Sequence, residues 1–244
     1  MTHTLAWTRT WSALRAVMAV VILAAVIAQL SKSLGTAAAD GRDVATVFAN
    51  FFSFFTILSN VLAAIVLLWA ALWLWTGRRT SAPSGDAKVE PTGLAVAMAS
   101  VSTYMIITGI VYNALLRSIV MPQGSEPIFW SNEVLHLVAP LFLLADVFVG
   151  PARRSLPWSR LAVIIAFPIA WVVYTLVRGP LVINPASGVP YWYPYPFLDP
   201  NGAGGWPSVV LYVVLISVAF LVVGSFVIWW RRRTGLPRPA PTRT

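Results

Sequence analysis

Four groups of polar side chains interrupt otherwise apolar stretches of this chain. Thr46, Asn50, Ser53, Thr56 and Asn60 recur at intervals of three and four, which puts them on one stripe of a helix. Thr108, Tyr112, Asn113 and Arg117 close a second stretch, and Tyr174 and Arg178 close another. Asn132, Glu133 and His136 open the stretch between these two. A hydroxyl, an imidazole, amides and an ion pair gathered at one level would make a pocket that binds or activates a ligand. Polar groups inside apolar helices are costly enough to need such a reason. The same residues can serve as glue, because Ser and Thr bond their own helix and Asn and His bond across helices. Glu133 can pair with Arg117 or Arg178 as a structural bridge whose long side chains reach toward an interface. Spacing alone leaves both readings open.

The elements that must position these groups follow from composition. Of 244 residues, 58% are hydrophobic and only 10% charged, with a mean hydropathy of +0.77. That excludes a water-soluble enzyme, which is about a quarter charged, and a disordered chain. The apolar residues run in blocks, and about 20 of them span a bilayer. Six blocks qualify, at about 12–34, 47–76, 92–117, 129–149, 160–178 and 207–230. The expected fold is a single all-α transmembrane domain over 1–244, a six-helix bundle with a basic tail at 231–244. The second block is long and should tilt or protrude. Loops at Gly77–Pro91, Met121–Pro127, Gly150–Pro157 and Gly179–Pro207 leave no room for a soluble domain.

The net charge of +9 does not form a nucleic-acid patch, because the basic residues sit at block ends. Arg9, Arg15, Arg78, Arg79, Lys88, Arg153, Arg154, Arg160, Arg231, Arg232, Arg233, Arg238 and Arg243 fall on one side; Lys32, Arg42, Arg117 and Arg178 fall on the other. By the positive-inside rule both termini are cytoplasmic, in the cell membrane. The chain has no cysteine and only two histidines, His3 and His136, so nothing calls for a metal or cofactor. With this topology all four polar groups lie toward the outer ends of their helices. Thr56 lies ~15 Å and His136 ~9 Å inward at the helical rise, so the two can meet if spans two and four are neighbours. The outer loop Tyr191-Trp192-Tyr193-Pro194-Tyr195-Pro196-Phe197 is either an interfacial aromatic anchor or a rigid lid over a cavity.

At these residues the sequence resembles a family. Phe51-Phe52-Ser53-Phe54-Phe55-Thr56-Ile57-Leu58-Ser59-Asn60 and Asn132-Glu133-Val134-Leu135-His136-Leu137-Val138-Ala139-Pro140 are similar to spans two and four of the androgen-induced (ADTRP-like) transmembrane threonine hydrolases. Thr108-Gly109-Ile110-Val111-Tyr112-Asn113 and Tyr193-Pro194-Tyr195-Pro196-Phe197-Leu198-Asp199 resemble bacterial six-span membrane proteins grouped near that family. The resemblance implies an intramembrane hydrolase of lipid-like esters, such as fatty acid esters of hydroxy fatty acids. It makes Thr56 the nucleophile and His136 the base. The Tyr/Pro/Phe loop and the Asn132-Glu133 pair depart from the animal members.

That chemistry is physically coherent. A Thr hydroxyl becomes nucleophilic when a neighbouring base takes its proton, and a buried neutral imidazole can do so. A further group must orient the ring, and donors must meet the developing oxyanion. Asn60, Asn113, Tyr112 and Asn132 are the candidates, with Ser53, Glu133, Arg117 and Arg178 in support; an outer Arg can hold a lipid carboxylate or phosphate. The alternative is a non-enzymatic lipid-binding or lipid-transport protein with the same cavity, and a third reading is a purely structural factor. No internal repeat of the transporter kind is present. The expected partner is a membrane lipid or lipid-like substrate, not nucleic acid.

Overall fold

The computed structural model describes residues 5–76, 89–119 and 127–236. His3, Arg78, Arg79, Lys88, Arg238 and Arg243 lie outside the described residues. The described residues are mostly helical, and among them the sole extended pairing is one bridge between Arg154 and Leu236. The helices are α1 (Leu5–Ala39), α2 (Val44–Phe51), α3 (Phe55–Thr76), α4 (Thr92–Val111), α5 (Phe129–Glu133), α6 (Ala139–Val149), α7 (Arg160–Arg178) and α8 (Gly205–Thr234). A π-helical turn, Tyr112–Leu116, extends α4, and another, Val134–Val138, joins α5 to α6. Counting each continuous run once, six helices among the described residues are long and apolar enough to cross a membrane.

α4 is the most buried and divides the core. One stripe, Leu94, Met98, Val101 and Met105, packs in a cluster with α1, α3 and α6. Another, Ala95, Ala99, Tyr104 and Ile107, packs with α7, α8 and the loop between them. Side chains on two stripes of one helix therefore tie two helical groups together, as ridge-and-groove packing requires.

The second span is not one long helix. The backbone leaves α-geometry at Phe52–Phe54, where Ser53 and Phe54 bond back only three residues, to Asn50 and Phe51. Neither Gly nor Pro causes this. Side chains from elsewhere enter the ladder instead: Trp171 Nε1 donates to the freed Ser53 carbonyl at 3.0 Å, and the freed Thr56 N–H donates to Tyr195 Oη at 3.2 Å. Asp43 caps α2 by accepting from Thr46 N–H and the Thr46 hydroxyl, so its carboxyl sits below the usual range. The expected single polar stripe is thereby divided, with Thr46 and Asn50 on α2, Ser53 in the break, and Thr56 and Asn60 on α3.

The first described helix and the residues just past the last one meet the segment 149–153: Trp7 Nε1 bonds Val149 O, and Leu236 N–H bonds Arg153 O. Three arginines counted at block ends by the sequence are buried there. Arg15, 1% exposed, holds Asp146 through Nε (2.7 Å) and Nη2 (3.0 Å), and Trp11 Nε1 adds a third donor to that carboxylate. Arg231 holds Glu90 at 2.9 Å, with both side chains buried. Arg153 donates to Val147 O at 2.5 Å; burial, then the neighbouring Arg231, lowers its pKa. A charge in low dielectric persists only with such partners.

Candidate functional site: a cavity at the α2–α3 break

A cavity of about 360 Å³ lies between α3, α4, α7 and α8. Its wall is mostly apolar, with Thr56, Thr108, Tyr112, Trp171, Tyr195 and Ser217 as the polar exceptions. That volume and that sparse polarity are typical of small-molecule pockets. Two lining residues, Ile169 on α7 and Leu221 on α8, are also 54% and 46% exposed. The cavity wall therefore includes residues that also reach the outer faces of α7 and α8, the faces a bilayer would cover.

Thr56 sits in the first turn of α3 because the break starts a new helix at Phe55. Its hydroxyl lies 3.2 Å from Tyr195 Oη. Ser59 bonds Thr56 O and the Thr108 hydroxyl, both at 3.1 Å, which fixes α3 to α4. Thr56 and His136 do not hydrogen-bond. Tyr112, which lines the same cavity as Thr56, stacks on the His136 ring with centroids 3.7 Å apart and planes at 20°. The imidazole stands behind this wall. Its Nδ1 lies 3.0 Å from Asn132 O. A carbonyl only accepts, so in the neutral ring Nδ1 carries the proton and Nε2 keeps its lone pair.

Tyr112, Asn113 and His136 all fall in the two π turns, a geometry frequent at functional sites. Pro140 explains part of it. Proline has no N–H, so no donor from position 140 reaches the carbonyls four and five residues back. Asn113 Nδ2 fills one, His136 O, and Asn60 Nδ2 fills the other, Leu135 O, each at 3.2 Å. The same amides also bond Gly109 O (2.8 Å) and Thr56 O (2.9 Å). A Cβ at Gly109 would lie 2.9 Å from Pro140 Cβ, so glycine permits this approach. Pro168 repeats the device, with the Tyr104 hydroxyl on Ile164 O at 2.8 Å. Asn60 and Asn113 thus have their amide donors committed to backbone, leaving Tyr112 and Asn132 of the four oxyanion candidates. Asn132 Nδ2 donates to Tyr112 Oη at 2.6 Å, so the Tyr112 hydroxyl keeps its own proton to give.

Of the two pairings open to Glu133, the structure has Arg117, bound through both carboxylate oxygens at 2.9 and 2.8 Å. Arg178 lies elsewhere, donating to Asn50 Oδ1 at 2.7 Å with its guanidinium 5.4 Å from the centre of the Trp192 ring. Tyr174 bonds the Ser53 hydroxyl at 2.9 Å. Trp171, Tyr174 and Arg178 form one face of α7 that holds the α2–α3 break. Ser53, Asn50 and Arg178 are therefore its supports and do not line the cavity. Tyr195 and Trp171 were absent from the expected site. Their only signal in the sequence was the aromatic density of the outer loop and of α7.

Comparison with protein-family models, curated proteins and solved structures finds no match. The resemblance to the ADTRP-like hydrolases thus rests on the short motifs quoted above.

Proposed function

We propose that the protein is a membrane-embedded hydrolase of lipid-like esters, with Thr56 as nucleophile and His136 as general base. The observation that carries this reading is Thr56 on the wall of an apolar cavity whose lining reaches the outer faces of α7 and α8. An acyl chain entering from the bilayer would fill the apolar volume and bring its ester to Thr56. Asn132 O holds Nδ1–H and leaves Nε2 as the base. Ligand entry must then turn the Tyr112 ring to admit the base, a tightening on binding that catalytic hydrogen bonds commonly show. The family resemblance names the substrate class, fatty acid esters of hydroxy fatty acids. The excess of Lys and Arg at one set of helix ends further supports a cell-membrane protein with both termini in the cytoplasm.

The test is labelling of purified protein by a fluorophosphonate ester, in wild type, Thr56→Ala and His136→Ala. Labelling of wild type, lost in both variants with melting unchanged, is the expected result; undiminished labelling of Thr56→Ala rules out its role. One observation favours a second reading, lipid binding without turnover: the Thr56 hydroxyl is engaged by Tyr195 and not by His136. Under that reading a fluorescent fatty acid binds unhydrolysed, is kept by Thr56→Ala, and is expelled by Ile216→Trp, which fills the cavity.

A further inference from the structure

Tyr195 belongs to the loop between α7 and α8, yet it is only 8% exposed and lines the cavity beside Thr56. Its surroundings fix it closely. Pro194 and Pro196 flank it, Phe197 stacks on it with planes 4° apart, and Phe54 and Trp171 meet it edge-on at 5.6 and 5.9 Å. Upstream, Trp192 N–H bonds Gly179 O at 2.9 Å, and a Cβ at Gly179 would overlap the Tyr193 ring. The loop is wedged into the bundle. It does not lie flat as an interfacial belt.

The hydrogen bonds of its phenol are directional. Thr56 N–H, in the first turn of α3, donates to Tyr195 Oη at 3.2 Å, so that oxygen is an acceptor from backbone. The phenolic proton then has only the Thr56 hydroxyl, also at 3.2 Å, among the described partners. A donor that itself accepts from a helix N-terminus is polarised and gives a stronger hydrogen bond. Burial raises the Tyr195 pKa above its ordinary value, with the bonds from Thr56 opposing in part, so the proton stays on at neutral pH.

We propose that Tyr195 is a catalytic residue that donates its phenolic O–H to the oxyanion formed when Thr56 attacks the ester. The assignment rests on the hydrolase reading. Thr56 Oγ bonds to the carbonyl carbon, the C=O π pair moves onto oxygen, and the Thr56 proton passes to His136 Nε2. The oxyanion, one bond from the carbon that Thr56 Oγ now holds, takes over the Tyr195 hydrogen bond that the Thr56 hydroxyl accepts in the resting site. Collapse expels the alcohol oxygen, which takes the proton from His136. Water then cleaves the acyl-Thr56 ester by the same route in reverse, and Tyr195 keeps its proton throughout. The loop in this way brings to the Thr56 hydroxyl a donor from outside the six spans.

The experiment is p-nitrophenyl ester hydrolysis by purified wild type, Thr56→Ala and Tyr195→Phe, with fluorescent fatty acid binding measured alongside. The expected result is a fall in kcat of about 10²–10³ in Tyr195→Phe, the loss seen when one oxyanion donor is removed, with KM and fatty acid affinity near wild type. Turnover that is lost in Thr56→Ala but stays within threefold of wild type in Tyr195→Phe overturns the proposal alone. No turnover by wild type overturns it together with the hydrolase reading. Should Tyr195→Phe fail to fold, replacement of Tyr195 by 3-fluorotyrosine keeps the hydroxyl and alters its donor strength. A shift in kcat at constant KM supports the catalytic role, and an unchanged kcat marks the phenol as a helix cap.

Discussion

Pro140 and Pro168 each remove a backbone donor from a span, and in both places a polar side chain from another helix takes the vacancy. Asn113, Asn60 and Tyr104 are thereby explained without any catalytic duty. A backbone carbonyl left unpaired costs at most about 1–3 kcal/mol when water is excluded, and Asn113 is exposed, so Asn113→Ala should lower stability by no more than that amount. Pro140→Ala, which restores the ladder donor, should reduce the cost. Thermal melts of the two single variants and the double in detergent measure the coupling, and strict additivity would separate Asn113 from Pro140. The polar character of these residues was readable in the sequence, because Asn and Tyr within apolar runs are conspicuous. Their partners were not, since a freed carbonyl can be filled from any neighbouring helix.

The α2–α3 break is the element that makes the site. Without it, Thr56 would lie in mid-helix with its N–H bonded to Phe52 O, and Tyr195 would have no helix start to cap. Trp171→Phe removes the donor to Ser53 O while keeping an aromatic ring. The expected effect is a loss of about 1–3 kcal/mol of stability for the orphaned carbonyl, read by melting, together with weaker fluorophosphonate labelling of Thr56. Labelling at the wild-type rate would detach the break from function. The loop gives a pH signature. The folded pKa of Tyr195 is raised above 10.0, so its contribution to stability is complete below pH about 10 and is lost as pH rises through the folded value. Tyr193 shifts the same way, through burial and then Asp199. Melting temperature should therefore fall above pH about 10, and less steeply in Tyr195→Phe than in wild type.

Across the whole molecule, the two ends of the bundle are built differently. One carries the cavity, the π turns and the wedged loop; the other carries buried ion pairs that clamp α1 to α6 and the Glu90 segment to α8. Asp146→Asn would leave Arg15 buried without its counter-charge, at a cost of about 3–5 kcal/mol. A fall in melting temperature without loss of fluorophosphonate labelling per folded molecule would confirm that this end is structural. The absence of cysteine makes topology easy to read. A single cysteine at Ser187 should react with an impermeant maleimide on intact cells, and one at Arg233 only after lysis; the reverse pattern would invert the orientation.

The sequence by itself determined the all-helical architecture, the six apolar runs and the residues that carry polar chemistry. These are local properties, fixed by how many apolar residues follow one another and by the cost of placing a hydroxyl, amide or imidazole among them. Only the tertiary structure decided that the second span breaks without Gly or Pro, that Glu133 pairs with Arg117, that Arg15 is buried, and that Thr56 faces a tyrosine from a distant loop. Each of those outcomes depends on which side chain arrives from another helix to satisfy a backbone group or a charge. Spacing along one chain does not encode that, because hydrogen bonds and ion pairs are settled by distance in space.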